Sequence, residues 1–438
     1  MFDYAQLIPP TIAAIKNTCC PELQPKLELS AITNIASKRS SKSSKSNAQT
    51  AMVVKSYLTS NHLNLLVANK DKRFVLCKNQ DFLSRSNEFL QQSESITLKD
   101  DPTPTILRKT RKIIALTGVT ASLTGSLNPP VNIACPRLFF EVKTHKPDWP
   151  LRPLINKRSH PTYFLETALA KHLSALVPPS NLVTNAVLNA KANIVATLGS
   201  LPTNSYRLYK IDVISLYPSV PHFEAVMLAN ALLLSSGHPI LHVLHLREAL
   251  LFITENNYFQ FNGKIYKQTQ GVPMGSPLSP ILAELIMRNI ENRIFHAPLT
   301  IHYPIMYLQY VDDILIAWDS SAEDLDKFIQ MLASIYPTIN FTVEEEQENT
   351  ISFLDLEVHR YPELTFAVHH KNNRGPDIIP VTAFQPPSFV NSAITSLIRR
   401  ALLIPSFQTL IDEELQINKR AMHNAGYSNS KYQYLYNL

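Results

Sequence analysis

Two acidic sites embedded in apolar, strand-forming sequence constrain this chain more than any other feature. Asp212 lies in YKIDVISLYPSVP, and the pair Asp312–Asp313 lies 100 residues further on in LQYVDDILIAW. Apolar residues on both sides make these carboxylates hard to explain as ordinary surface charges. If the two strands lie side by side, two or three carboxylates converge. Unpaired, such a cluster repels itself and at least one group stays protonated. A pair of divalent cations about 3.5–4 Å apart removes that cost and supplies two-metal phosphoryl transfer. The all-oxygen ligand set points to two Mg²⁺ ions, with Mn²⁺ as a substitute. Taken alone, a turn aspartate pair and a helix-capping aspartate explain the same residues, so the reading depends on what surrounds them.

Hydrophobic period and turn chemistry organise the surroundings. RLFFEVKTHKPDWPLRPLIN (137–156) reads as a hairpin around a polar, Pro-containing turn. The spacing of Leu165, Leu169, Leu173 and Leu176 predicts an amphipathic helix. Tyr206–Val213 reads as a strand, followed by a helix over Phe223–Leu234. Residues 258–268 predict a hairpin with Asn262–Gly263 as its turn. A helix is expected from Leu278 to about Ile294, with Ser276 or Ser279 as its cap. Residues 305–317 predict a hairpin turning at Val311–Asp313. Leu325, Phe328, Ile329, Leu332 and Ile335 describe another helix, 350–368 a second hairpin, and the chain from about Ser388 further helices. The β-α-β-β-α-β alternation around Asp212 and Asp312 is the ferredoxin-like split arrangement. Residues 48–135 mix short helical and strand patterns without a readable motif.

Charge is unevenly placed. Residues 1–158 carry 23 Lys/Arg against 11 Asp/Glu, and residues 159–438 carry 18 against 24. A basic front followed by an acidic remainder suits a phosphate-gripping first part, and equally a solvated basic surface. The tract SKRSSKSSKS (37–46) is too polar to fold alone and reads as a flexible linker or an import signal. Cys19, Cys20, Cys77 and Cys135 lack C-x-x-C spacing, which argues against a zinc site or disulfide framework and for reduced, intracellular thiols. No apolar run reaches the roughly 18 residues of a membrane span. The longest, Pro239–Ile253, is interrupted by His242, His245, Arg247 and Glu248, so a soluble or peripherally bound protein is expected.

The motifs carry a family resemblance. Tyr310-Val311-Asp312-Asp313 resembles the Y-x-D-D motif of reverse transcriptases, and Asp212 with Tyr217 five residues later resembles their first palm motif. Between them, Gln270-Gly271-Val272-Pro273-Met274-Gly275 is similar to their Q-G-x-P-x-G motif. Lys143, Lys146 and Arg152 in KTHKPDWPLRP resemble the basic fingers hairpin. More narrowly, THKPDWPLRPLI, IDVISLYPSVP, GVPMGSPLSPILAELIM, ISFLDLEVHR and NAGYSNSKY resemble Penelope-like retroelement reverse transcriptases, relatives of telomerase reverse transcriptase. The resemblance covers roughly 138–430. Many members carry a GIY-YIG endonuclease. No such motif is recognised here, so an endonuclease-lacking member, a truncated element or the polymerase part of a longer protein is expected.

The resemblance implies an α+β, right-hand polymerase fold. A basic N-terminal extension (1–135) would precede fingers with part of the palm (136–211), a ferredoxin-like palm (212–370) and a helical thumb (371–438). It implies an RNA-directed DNA polymerase serving retroelement replication in the nucleus. Its partners would be an RNA template, a DNA primer or RNA–DNA hybrid, and deoxynucleoside triphosphates. Asp212, Asp312 and Asp313 would be the catalytic metal ligands. Lys143, Lys146, Arg152, Gln270 and Gly271 would meet the nucleotide, and the Tyr217 ring would exclude a 2′-hydroxyl. Tyr310, Phe353, Leu354, Arg399 and Arg400 would touch primer and template, with Lys419 and Arg420 beside them on the thumb. Packing alone is the competing account of Tyr217, Phe353 and Leu354, and a solvated hairpin face that of Lys143 and Lys146. One departure stands out: between Pro337 and Val358 there is no Lys or Arg, where many polymerases place a lysine, but Glu344, Glu345, Glu346 and Glu348. A catalytically silent nucleic-acid-binding protein and an RNA-dependent RNA polymerase are the alternative readings of the same scaffold.

Overall fold

The computed structural model describes residues 43–437 except 70–73, 124–126, 128–131, 145–147, 181, 185, 274, 297–300, 371–374 and 384. The first elements are α1 (Ser43–Ser60), β1 (Leu63–Ala68), β2 (Phe74–Lys78), α2 (Asn79–Gln92), β3 (Ile96–Leu98), α3 (Thr103–Ile114) and α4 (Thr117–Ser122). Then come β4 (Arg137–Val142), β5 (Leu151–Asn156), α5 (Tyr163–Leu176) and α6 (Val187–Leu198). The middle holds β6 (Arg207–Val213), α7 (Leu216–Ser219), α8 (His222–Ser235), α9 (Ile240–Glu255), β7 (Tyr258–Phe261), β8 (Lys264–Lys267) and α10 (Ser279–Phe295). They are followed by β9 (Met306–Tyr310), β10 (Asp313–Trp318), α11 (Ala322–Ile335) and β11 (Phe341–Glu345). The chain closes with β12 (Thr350–Phe353), β13 (Leu356–His359), β14 (Thr365–Val368), α12 (Pro387–Leu403), α13 (Gln408–Asn424) and α14 (Asn429–Tyr436).

The described strands form three sheets. The first has the order β2-β1-β4-β7-β8-β3, with β5 paired to β4. β4 and β5 form the expected hairpin, in register from Arg137↔Asn156 to Val142↔Leu151. β7 and β8 form the other, turned by Asn262 and Gly263 at φ 45° and 76°, the left-handed pair that a two-residue turn demands. The stretch that carried no readable motif supplies β1, β2 and β3, so strands on both sides of residue 135 share one sheet. The Ser/Lys tract expected as a linker is already helical from Ser43; its earlier part lies outside the described residues, as do Cys19 and Cys20.

The second sheet, β11-β6-β10-β9, is antiparallel throughout. Its strands sit in the ferredoxin-like order, with the first and third of the β-α-β-β-α-β unit at the centre. Side chains alternate faces along each strand. Tyr209, Ile211 and Val213 of β6, with Ile314, Ile316 and Trp318 of β10, join the main core against α8, α9, α10 and α11. Leu208, Leu315 and Ala317 point the other way, into a second core with α6 and the third sheet. Asp212 shares the face of Leu208 and Asp313 that of Leu315, at the end which this second core leaves open.

The third sheet, β12-β13-β14, corrects an expectation: 350–368 is a three-stranded meander rather than one hairpin. The chain turns first at Leu354, with φ 57°, and again after His359. Beyond it, α12, α13 and α14 pack around Val390, Ile394, Ile398, Met422, Tyr432 and Leu435. Among the described residues no helix is long and apolar enough to cross a membrane.

Candidate active site

The register of the second sheet places Asp313 directly opposite Asp212. Asp312 is next in sequence, in the two-residue turn between β9 and β10, and its carbonyl accepts a 3.1 Å bond from Val213 N–H. Three carboxyl-bearing residues therefore gather at one sheet end, as the sequence predicts. The turn itself is strained: Val311, β-branched and exposed, sits at φ 57°. Buried Gln309 holds it, donating from Nε2 to Val311 O at 2.9 Å. Tyr310 ends β9 half-exposed.

Electrostatics show what the cluster costs. Burial, then Asp212 beside it, pushes the Asp313 carboxyl up to about 6, against the pull of Lys210. The Lys210 ammonium lies 3.3 Å from Asp212 Oδ1 and 3.2 Å from Asp313 Oδ1. Among the described residues no group of three or more His, Cys, Asp or Glu side chains is arranged to hold a metal ion as it stands. The donor set nevertheless fits a hard cation: two carboxylates directly opposed, one of them reluctant to ionise, and a third carboxyl one residue away.

The remaining motifs reach the same place through the backbone. Tyr217, on α7, is half-buried against the main core. Burial pushes its hydroxyl up, Asp312 adds to this and Arg152 opposes it, so the hydroxyl lies within electrostatic reach of both. Tyr217 O accepts from Val272 N–H at 2.8 Å, joining it to the Gln270–Gly275 loop. Gly271 has φ 70°, and a Cβ there would lie 2.3 Å from Pro218 O; at Gly275, φ 116°, it would lie 2.1 Å from Ile155 O. Only glycine lets the loop press against both α7 and β5. Gln270 N–H bonds Ser93 O at 3.3 Å, and its side chain reaches Glu94. The loop is thus also tied to the end of α2.

Arg152 on β5 pairs across the strand with Glu141 and reaches Asn69 Oδ1 at 3.4 Å. Lys143 follows β4, its N–H bonded to Pro150 O at 2.9 Å. Lys146 lies outside the described residues. Phe353 requires a correction: it is fully buried in the second core, so its side chain packs rather than meeting a primer. Leu354 is half-buried at the adjoining turn. Arg400 on α12 pairs with Asp355 at 3.4 Å, beside that turn, and Arg399 is exposed.

Sequence reasoning missed a buried network under the loop. Lys157 Nζ lies 2.7 Å from Glu166 Oε1, the two side chains being 1% and 0% exposed. Lys157 also donates to Asn257 Oδ1 at 3.1 Å, Thr162 donates to Glu166 at 2.5 Å, and Ser276 donates to the other Glu166 oxygen. Burial, the largest single influence, would raise the Glu166 carboxyl, but Lys157, His160 and the Ser276 hydrogen bond together outweigh it and hold the group below its ordinary value. Neither expected cap serves α10: Ser276 Oγ accepts from Leu278 N–H before the helix begins, and Ser279 Oγ donates to Pro273 O. Both serines brace the loop instead. The acidic run also finds partners. Glu345 pairs with Arg207, and Arg360 clasps Glu346 with Nε at 2.8 and 2.9 Å from its two oxygens.

Comparison with solved structures finds this fold in two telomerases. Telomerase from Candida albicans, solved with the TWJ fragment of telomeric RNA, superposes with a TM-score of 0.57 at 10% identity, over 95% of this chain and 71% of that one. Telomerase from Candida tropicalis with the corresponding RNA fragment gives 0.50 at 11% identity, over 92% of this chain and 64% of that one. At such identities the likeness is one of fold. Residues 148–353 match the family model described as reverse transcriptase (RNA-dependent DNA polymerase). The chain thus carries a reverse transcriptase domain, and domain and fold together support a nucleotidyl-transferring nucleic-acid polymerase. Comparison with curated proteins finds no match.

Proposed function

We propose that this chain is an RNA-directed DNA polymerase that extends a primer with deoxynucleotides, with Asp212, Asp312 and Asp313 as its catalytic metal ligands. The observation that carries the reading is the opposition of Asp212 and Asp313 across β6 and β10, with Asp312 in the adjoining turn. Two Mg²⁺ ions on these carboxylates would supply activation of the primer 3′-hydroxyl and neutralisation of the triphosphate. The rest falls to side chains. Tyr217 stands beside Asp312 and Arg152, where its ring can pack under the sugar and leave no room for a 2′-hydroxyl. Arg152 and Lys143 lie on the fingers hairpin and offer charge-assisted hydrogen bonds to phosphate. Gln270 and Gly271 present a loop fixed against α7, so the incoming nucleotide meets a preorganised surface.

RNA template, DNA primer or RNA–DNA hybrid, and deoxynucleoside triphosphates are the partners this reading requires. The exposed Arg399 on α12 suits the backbone of an A-form hybrid. The Penelope-like sequence resemblance favours a retroelement role, and nuclear action with it. Primer extension on RNA and DNA templates, with deoxy- and ribonucleotides and Mg²⁺ or Mn²⁺, tests the proposal. It expects deoxynucleotide incorporation on RNA; incorporation of ribonucleotides alone would replace it with an RNA-dependent RNA polymerase.

A further inference from the structure

Lys210 is the one residue in the carboxylate cluster for which the proposed chemistry has no role. It sits two residues before Asp212 on β6 and so projects from the same face of the sheet. Its neighbours across the register are Leu315 on β10 and Glu344 on β11. Its ammonium reaches forward instead, to within 3.3 Å of Asp212 Oδ1 and 3.2 Å of Asp313 Oδ1. The side chain is 18% exposed. Burial works against its charge, yet Asp313 and Asp212 outweigh that and raise the group above its ordinary value. A cation placed between two opposed carboxylate oxygens neutralises the same charges that would hold a metal ion.

We propose that Lys210 is a resident counter-ion of the candidate metal site: it bridges Asp212 and Asp313 in the metal-free protein, and a divalent cation binds in competition with it. The inference rests on reading these aspartates as metal ligands. Two like charges opposed on neighbouring strands destabilise a sheet, so a metal-free palm needs such an internal cation. The same cation then lowers the affinity for free metal, because each ion must displace the ammonium. A displaced ammonium on this face can turn to Glu344, its register neighbour on β11, or to the phosphates of an arriving nucleotide.

Binding of Mn²⁺ alone to the full chain, followed by electron paramagnetic resonance of the free ion, tests the competition. Lys210→Met should bind Mn²⁺ about tenfold more tightly or better, the size of a neighbouring charge's effect on a carboxylate. Arg207→Met is the control, because Arg207 lies on the same strand but pairs with Glu345; it should change affinity far less. Should Lys210→Met fold poorly, the wild-type chain gives the answer by amine acylation read by mass spectrometry. Labelling of Lys210 should rise as Mn²⁺ is added. Equal affinities in wild type and Lys210→Met, or Lys210 labelling indifferent to Mn²⁺, would overturn the counter-ion while leaving the metal site standing. Absence of Mn²⁺ binding in both proteins would overturn the metal reading and the counter-ion with it.

Discussion

Asp313 faces Asp212 across an antiparallel pair of strands, residue against residue. Cross-strand neighbours of like charge are unfavourable, and here the strain shows in a carboxyl pushed up to about 6 by burial and by its partner. Replacing one acid should relieve the fold while removing the function. Asp212→Asn is expected to abolish extension with thermal stability equal to or above wild type. A parallel loss of stability and activity would make Asp212 a structural residue.

Tyr217 is held by its own carbonyl, which accepts from Val272 N–H, and its hydroxyl feels both Asp312 and Arg152. Truncation to alanine should open space under the sugar. The ratio of ribo- to deoxynucleotide specificity is expected to rise about tenfold to hundredfold, the scale of a 1–3 kcal/mol steric penalty. An unchanged ratio would reduce Tyr217 to packing.

The Lys157–Glu166 pair anchors the Gln270–Gly275 loop from below through Ser276. Removing one member of a buried pair strands the other charge, so Lys157→Met should cost about 3–5 kcal/mol in chemical denaturation. Lys157→Met combined with Glu166→Leu should recover most of that stability. It still deprives Ser276 of its acceptor, so the double variant should fold yet extend more slowly than wild type. Full activity in a stable double variant would show that the loop needs no such anchor.

Glu291, on α10, is buried with an unpartnered Oε1, and burial raises its carboxyl to about 7. The folded chain thus holds a proton there that the unfolded chain releases near pH 4.5. Its contribution is most favourable below that pH and declines as pH rises toward 7, by up to about 3 kcal/mol. Glu291→Gln should therefore raise the melting temperature at pH 8 and give little gain at pH 4.5. A gain independent of pH would mean that Glu291 is not protonated in the folded chain.

Much of the site was legible because its residues are local in sequence. A strand ending on Asp212, a hairpin turning at Asp312 and a glycine-bracketed loop each announce themselves by period or turn chemistry. What stayed hidden depends on residues that meet only in the fold. Glu166 and Ser276 are far apart in sequence, and a lone Glu on a Leu-spaced helix gives no hint of an ion pair. Lys210 was readable in principle, since it shares Asp212's strand face. β1 (LNLLVA), β2 (FVLCK) and β3 (ITL) are short runs without clean apolar–polar alternation, so no period marked them as strands. The meander over 350–368 reads in sequence as one hairpin because the turn at Leu354 uses a leucine at positive φ rather than glycine or asparagine.

Primer extension by wild type and Asp312→Asn, on one primer annealed to an RNA template with deoxynucleotides and Mg²⁺, tests the central claim most directly. The account predicts template-dependent extension by the wild-type chain and none by a variant that retains its fold and its affinity for the primer–template. Equal extension by the two proteins would contradict it.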